Sequence, residues 1–247
     1  MTQGFDLVEG LAAGLEDRAA AWWFVQDFAL HWVAPIEDGD GWDEAELAAA
    51  EERLGLRLPA ALREAYALFG RRPDLTSNHD ALHGPADLHL DDRGEVLVFR
   101  HENQGACAWG IPLAELHRPD PAVLVRADLA DKQAEAWEPW LDRLSIALLE
   151  LVLSESLHAP EGRCDYLDAL DEEGRDALER HYDGLPFPDY PDGAGPGDAS
   201  RWYAGEDVLL RVDGGDLVYA RARAPKALDE LRERIPGDWL DSGAPWE

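Results

Sequence analysis

The sequence predicts an α+β fold, an antiparallel β-sheet covered by helices, with a helical extension before it and a β-hairpin plus helix after it. Three observations carry that expectation. Residues 42–70 hold two short amphipathic helices whose start and stop signals are all in place. Residues 96–111 hold two strand-like runs around a polar turn. Residues 202–222 hold a second hairpin pattern, followed by a final amphipathic segment.

The N-terminal segment, Phe5 to Val33, reads as one or two helices. Phe5, Val8, Leu11, Ala12 and Leu15 recur at helical spacing, and after Glu16 and Asp17 the apolar pattern resumes with Trp22, Trp23, Val25, Phe28, Leu30 and Trp32. Apolar residues occupy more than one face, so most of this segment is expected to be buried, or else to pair with another chain. Pro35 to Gly41 reads as a linker.

Local signals then agree closely. Asp43 is a good N-cap, Glu46 completes a capping box, and Trp42 and Leu47 stand where a hydrophobic staple stands. Leu47, Ala50 and Leu54 share a helical face, and Gly55 is placed for a left-handed C-cap. Pro59 suits the first turn of a second helix, Leu62, Tyr66 and Phe69 mark its apolar face, and Gly70 ends it. Arg71 to Gly84 reads as a loop. The loop carries His79, Asp80 and His83, and two histidines four apart raise a metal-site reading; without a third ligand at a convincing spacing, a solvent-facing loop is expected instead.

Ala86–Leu90 and Glu95–Arg100 read as strands joined by Asp91-Asp92-Arg93-Gly94. Val96, Val98 and Arg100 alternate with Leu97 and Phe99, which suits a central strand with both faces covered. Glu102 to Gly105 is a turn, and Ala106 to Ile111 the next strand, with Cys107 and Trp109 on one side.

The residues Glu51, Leu54, Gly55, Leu58, Pro59, Leu62, Tyr66 and Gly70 resemble the opening signature of the SUKH superfamily, and Val96–Ile111 resembles the strand, turn and strand that follow in its bacterial members. The resemblance spans roughly residues 42–158. It implies helices packed on one antiparallel sheet. It also implies a role like that of bacterial immunity proteins, which neutralise secreted toxins, or of a eukaryotic regulator of cell-wall synthesis.

Val123–Arg126 reads as a strand and Trp137–Leu157 as a long helix with an apolar stripe at Trp140, Leu141, Leu144, Leu148, Leu151 and Val152. Asp165–His181 reads as an acidic helix. Leu185–Gly197 reads as an irregular loop in which Gly193, Gly195 and Gly197 make no dinucleotide fingerprint. Trp202–Val212 and Leu217–Ala222 read as two strands around Asp213-Gly214-Gly215-Asp216, and Ala227–Ile235 as a helix. A hairpin and one helix cannot bury their faces alone. The expected organisation is therefore one domain: an extension over 1–41, a core over 42–158, and residues 159–247 packing on that core. A separate second domain is the alternative.

Composition narrows the function. With 52 acidic residues against 22 Lys and Arg, the formal charge is −30. That argues against a nucleic-acid site and against docking on an anionic membrane, and it would steer a basic partner inward; the alternative is a general compositional bias, with Lys132 and Lys226 the only lysines, and a merely solvated acidic surface. No apolar run reaches the roughly 20 residues that span a bilayer. No basic stretch precedes an apolar core at the N-terminus, and Cys107 and Cys164 make no disulfide framework. A cytoplasmic protein is expected.

No catalytic, cofactor or metal constellation stands out. His101 and Glu102 are strand neighbours that point to opposite faces, so they do not converge as acid and base. The function expected is that of a protein-binding module, not an enzyme: an immunity protein whose partner is a toxin domain with a basic surface. The alternative is a regulatory or scaffold protein with a housekeeping partner. Candidate contacts are Glu102, Asn103 and Gln104, because polar side chains on a rigid turn specify partners, and Trp109 beside them. Asn103 and Gln104 otherwise serve only nearby backbone groups. A carboxylate-pair hydrolase has no motif behind it and would need a pocket with two converging carboxylates, one with a raised pKa.

Overall fold

The computed structural model describes residues 5–160, 162–191 and 200–240. The chain is α+β, with two antiparallel sheets rather than the single sheet expected. The N-terminal segment forms two helices, α1 (Leu7–Gly14) and α2 (Arg18–Trp32), each N-capped by an aspartate, Asp6 and Asp17. α2 buries Trp22, Phe24, Val25, Phe28 and Trp32 but leaves Trp23 and Leu30 exposed.

The corner at residues 42–70 follows its signals closely. In α3 (Glu44–Leu54) Asp43 and Glu46 form a reciprocal capping box, and Gly55 takes φ +68°, where a side chain would be strained. Pro59 sits at the N-cap of α4 (Ala60–Phe69). Gly70 is needed for close approach: a Cβ there would stand 2.6 Å from the Trp42 ring, whose Nε1 donates to the Gly70 carbonyl at 2.9 Å. The buried Glu51 carboxylate ties the two helices together. It accepts from the Leu58 N–H at 2.9 Å and pairs with Arg57 and Arg63, each at 2.8 Å.

The segment expected to be a loop after Gly70 contains a one-turn helix, α5 (Pro73–Thr76), and a short strand, β1 (Ala81–Leu82). β1 and β2 (His89–Leu90) pair along the same edge of β3 (Val96–His101), so the strand expected over Ala86–Leu90 is real only at its last two residues. The sheet continues through β4 (Cys107–Pro112), β5 (Val123–Ala127) and β6 (Glu138–Leu141). β6 corrects the helix expected from Trp137. Pro139 and Trp140 lie on an edge strand, where a missing N–H is tolerated, and α6 starts only at Leu144.

α6 (Leu144–Ser156) has all 13 residues buried. It packs against α2, α4 and α5, and its leucines at 144, 148, 149, 151 and 153 are each fully enclosed. Each such side chain contributes roughly 1.5–3 kcal/mol relative to exposure. A helix buried along its whole length lies in the middle of a body, and its polar residues Glu150, Ser154 and Glu155 are buried with its leucines.

The second sheet has the order β12-β7-β11-β10-β9-β8: β7 (Cys164–Leu167), β8 (Asp183–Gly184), β9 (Arg201–Gly205), β10 (Val208–Asp213), β11 (Leu217–Ala222) and β12 (Trp239–Leu240). The helix expected over Asp165–His181 is therefore a strand followed by a shorter helix, α7 (Glu172–His181). The single strand expected over Trp202–Val212 is two, broken at Glu206-Asp207. The hairpin at Asp213–Asp216 and the last helix, α8 (Pro225–Arg234), are present. Gly193, Gly195 and Gly197 lie outside the described residues.

The second sheet is covered on both faces. Leu210, Val212, Val218, Ala220 and Ala222 join Leu228, Leu231 and Ile235 of the α8 segment in a small core of their own. Trp202, Ala204 and Leu209 instead join the large core built by α1, α2, α4, α6 and the first sheet. Arg221, fully buried on β11, donates to the carbonyls of Ser156 and Trp32, the last residues of α6 and α2. It thereby caps two helix C-termini with one positive charge. Among the described residues no helix is long and apolar enough to cross a membrane.

Candidate functional site

Between the first sheet and the β10–β11 hairpin of the second, a cleft of about 260 Å³ remains. β3 and β4 supply Arg100, Cys107 and Trp109, and α6 supplies Glu150. The loop before β1 supplies His79 and Asp80, and β10–β11 supply Arg211, Asp213 and Tyr219. A β-bulge between Val98 and Arg100 re-aims the strand, so that Arg100 faces Trp109 across the pair. Its guanidinium lies 4.2 Å from the indole centre.

Arg100 gathers three carboxylates from two segments, the loop before β1 and α6: Glu150 at 2.8 Å, Asp80 at 2.8 Å and Glu155 at 3.7 Å. Burial works against its charge, but these carboxylates more than offset that and raise its pKa. Glu150 also accepts from the Tyr190 hydroxyl at 3.0 Å, which itself accepts from Trp202 Nε1 at 2.8 Å. Burial first, and the Glu150 charge next, push the Tyr190 hydroxyl well up. Arg211 pairs with Asp213 at 2.9 Å and donates to Ser154 Oγ at 2.6 Å. On the rim, the His79 ring stacks on His158 at 4.1 Å. Burial, with His79 adding to it, holds His158 down to about 3.

Of the residues singled out from sequence, Glu102 structures the turn: its Oε2 accepts from the N–H groups of Gln104 and Ala106, both at 2.8 Å. The backbone service considered for Asn103 and Gln104 is thus done by Glu102. Asn103 and Gln104 are exposed, and Asn103 Nδ2 stands 3.0 Å from His79 Nδ1. Trp109 is only 4% exposed, beneath Arg100 and 5.6 Å from Trp140, so it is a floor of the cleft and not part of the outer surface of the turn. His83 parts from His79 and instead joins His89 and His101, with His83 Nε2 at 2.7 Å from His101 Nδ1. Burial, then the charges of His101 and His89, lower His83 to about 4.

Three carboxylates therefore meet on one guanidinium, and burial pushes Glu155 up to about 7 against the lowering effect of Arg100. That is the pattern an acid–base reading would need. Yet Glu155 is 1% exposed, and its oxygens accept from the N–H groups of His79 and Asp80 at 2.7 and 3.1 Å. It holds the loop before β1 in place and offers no oxygen to the cleft. Arg100, Glu150, Tyr190 and Arg211 are not singled out by the sequence as site residues, and Asp80 stands there only beside the two histidines of a loop. The usable signal was a charge inside an apolar run: Arg100 after Val-Leu-Val-Phe, Glu150 within the leucines of α6, Arg211 after Val-Leu-Leu.

Compared with protein-family models, with curated proteins and with solved structures, the chain gives no match.

Proposed function

We propose that this chain is a protein-binding module of the SUKH type, an immunity protein that holds a toxin domain with a basic surface inactive inside the cell that makes it. The observation that carries the reading is the placement of charge. Of the 52 acidic residues, only Glu51, Asp80, Asp91, Glu150, Glu155 and Asp165 are buried among the described residues, while Arg100 and Arg221 are withdrawn inside. Among the described residues the remaining acidic side chains thus lie at or near the surface, the arrangement that speeds encounter with a basic partner. The signature residues add support, since Glu51, Gly55, Leu58, Tyr66 and Gly70 each have a definite structural task in the α3–α4 corner. The role assigned is non-catalytic: Glu150 is held by Arg100, Arg211 and the Tyr190 hydroxyl, and Asp80 Oδ2 by Arg100.

The test is calorimetry of the chain against the protein products of its flanking genes at two salt concentrations. Tight binding to one of them that weakens as salt rises, with loss of that protein's toxicity, is the expected result. Absence of binding to every one would overturn the reading.

A further inference from the structure

We propose that His79, Asp80 and Glu102 form a binding site for one divalent transition cation, of the Zn²⁺ or Mn²⁺ class, at the mouth of the cleft. The three residues come from two segments that the fold brings together, the loop before β1 and the turn after β3. One donor atom from each lies within 4.8 Å of the other two.

The second observation is Asp80 itself. Its side chain is nine-tenths buried and lines the cleft beside His79 and Glu102. Oδ2 is engaged by Arg100 at 2.8 Å, whereas Oδ1 is buried and accepts no hydrogen bond among the described residues. A buried carboxylate oxygen without a donor is costly, and a cation is the partner that satisfies it. Glu102 spends Oε2 on the turn, which fixes the carboxylate and leaves Oε1 for a ligand bond. His79 is anchored through its own N–H on Glu155 and through its ring on His158, with the ring edge toward Asn103.

Asp80, Glu102, Glu150 and Asp213 line this cleft against two guanidiniums, Arg100 and Arg211, so the local field favours a cation despite Arg100. An imidazole beside two carboxylates suits Zn²⁺ or Mn²⁺ better than Ca²⁺ or Mg²⁺, which prefer all-oxygen shells. Three protein ligands leave coordination positions open toward solvent. The ion would clamp the β3–β4 turn onto the loop before β1.

The test is calorimetric titration of the metal-free full chain with Zn²⁺, repeated with Mn²⁺, alongside the variants His79→Ala, Glu102→Gln and His83→Ala/His89→Ala. The first two alter exposed or half-exposed residues, so the fold is retained and can be checked by circular dichroism. The third removes the rival histidine cluster. Expected are one bound ion per chain, a rise in Tm on binding, and affinity at least about tenfold weaker in each of the first two variants while the double histidine variant binds as the native chain does. No binding by the native chain, binding unchanged in both His79→Ala and Glu102→Gln, or loss only in the double histidine variant would each overturn the proposal.

Discussion

The α3–α4 corner and the inter-sheet cleft both bury charge, and they do it in opposite ways. In the corner one carboxylate, Glu51, is served by two guanidiniums and a backbone N–H, all from residues 57, 58 and 63. In the cleft one guanidinium, Arg100, is served by three carboxylates, from the loop before β1 and from two turns of α6. The first cluster can close as soon as two neighbouring helices dock. The second closes only when β3, α6 and the preceding loop are all in place. Similar chemistry thus secures a local motif in one region and reports on assembly of the whole body in the other.

The largest expected effect breaks the second cluster. Arg100→Met leaves three carboxylates facing one another without a counter-charge, and removing one partner of such a buried group costs about 3–5 kcal/mol. Urea denaturation should show that loss, and adding Glu150→Gln should recover part of it, because the two sites are coupled. A midpoint unmoved by Arg100→Met would mean that the cluster contributes nothing to stability.

Glu51→Gln should cost less, about 1.5–3 kcal/mol, since a charged acceptor is lost but neighbouring groups stay near solvent. The same residue gives a pH signature. Burial raises its pKa, but the Leu58 N–H, Arg57 and Arg63 outweigh that and hold it below the ordinary value of 4.5. A depressed carboxylate contributes stability that is fully present above the unfolded value and is lost as pH falls through the folded one. The stability gap between the native chain and Glu51→Gln should therefore be widest at neutral pH and shrink below about pH 4.5. A gap that stayed constant into acid would show that Glu51 does not act through its charge.

The same contrast explains what could be read from the sequence. The corner was legible because its signals at Asp43, Glu46 and Gly55 act within a few residues of themselves. The β10–β11 hairpin was legible for the same reason, its register being set by its own turn. β7 was not: Cys164–Leu167 is a strand because β11 and β12, far along the chain, pair with it on both sides. Nor was β6, where Trp140 and Leu141 fit an apolar helical stripe as well as they fit a strand. The cleft was illegible as a site because its charged members come from four separate stretches, around residues 79–80, 100–102, 150 and 211–213. Only their presence inside apolar runs marked them, and Trp109 gave no sign that Arg100 would cover it.

Smaller in effect is the cap of α3. Asp43→Ala removes the acceptor of the Glu46 N–H and with it the capping box, for about 1 kcal/mol. This sharpens the comparison, because it weakens the corner without touching buried charge. Thermal denaturation should show a modest fall in Tm.

The smallest effect on stability, and the most telling for function, is expected at the rim. Asn103 and Gln104 are exposed on a turn that Glu102 already holds, so the joint change to Ala should move stability by no more than about 0.5 kcal/mol. If the cleft rim is where a basic partner docks, the same variant should weaken binding by about tenfold, which is about 1.4 kcal/mol. Calorimetry against the partner separates the two quantities. Stability lost without affinity, the pattern expected at Asp43, belongs to the frame; affinity lost without stability belongs to the docking face. A rim variant that binds as tightly as the native chain would move that face off the turn. The search would then turn to α2, where Trp23 and Leu30 stand exposed on a helix whose other side is buried.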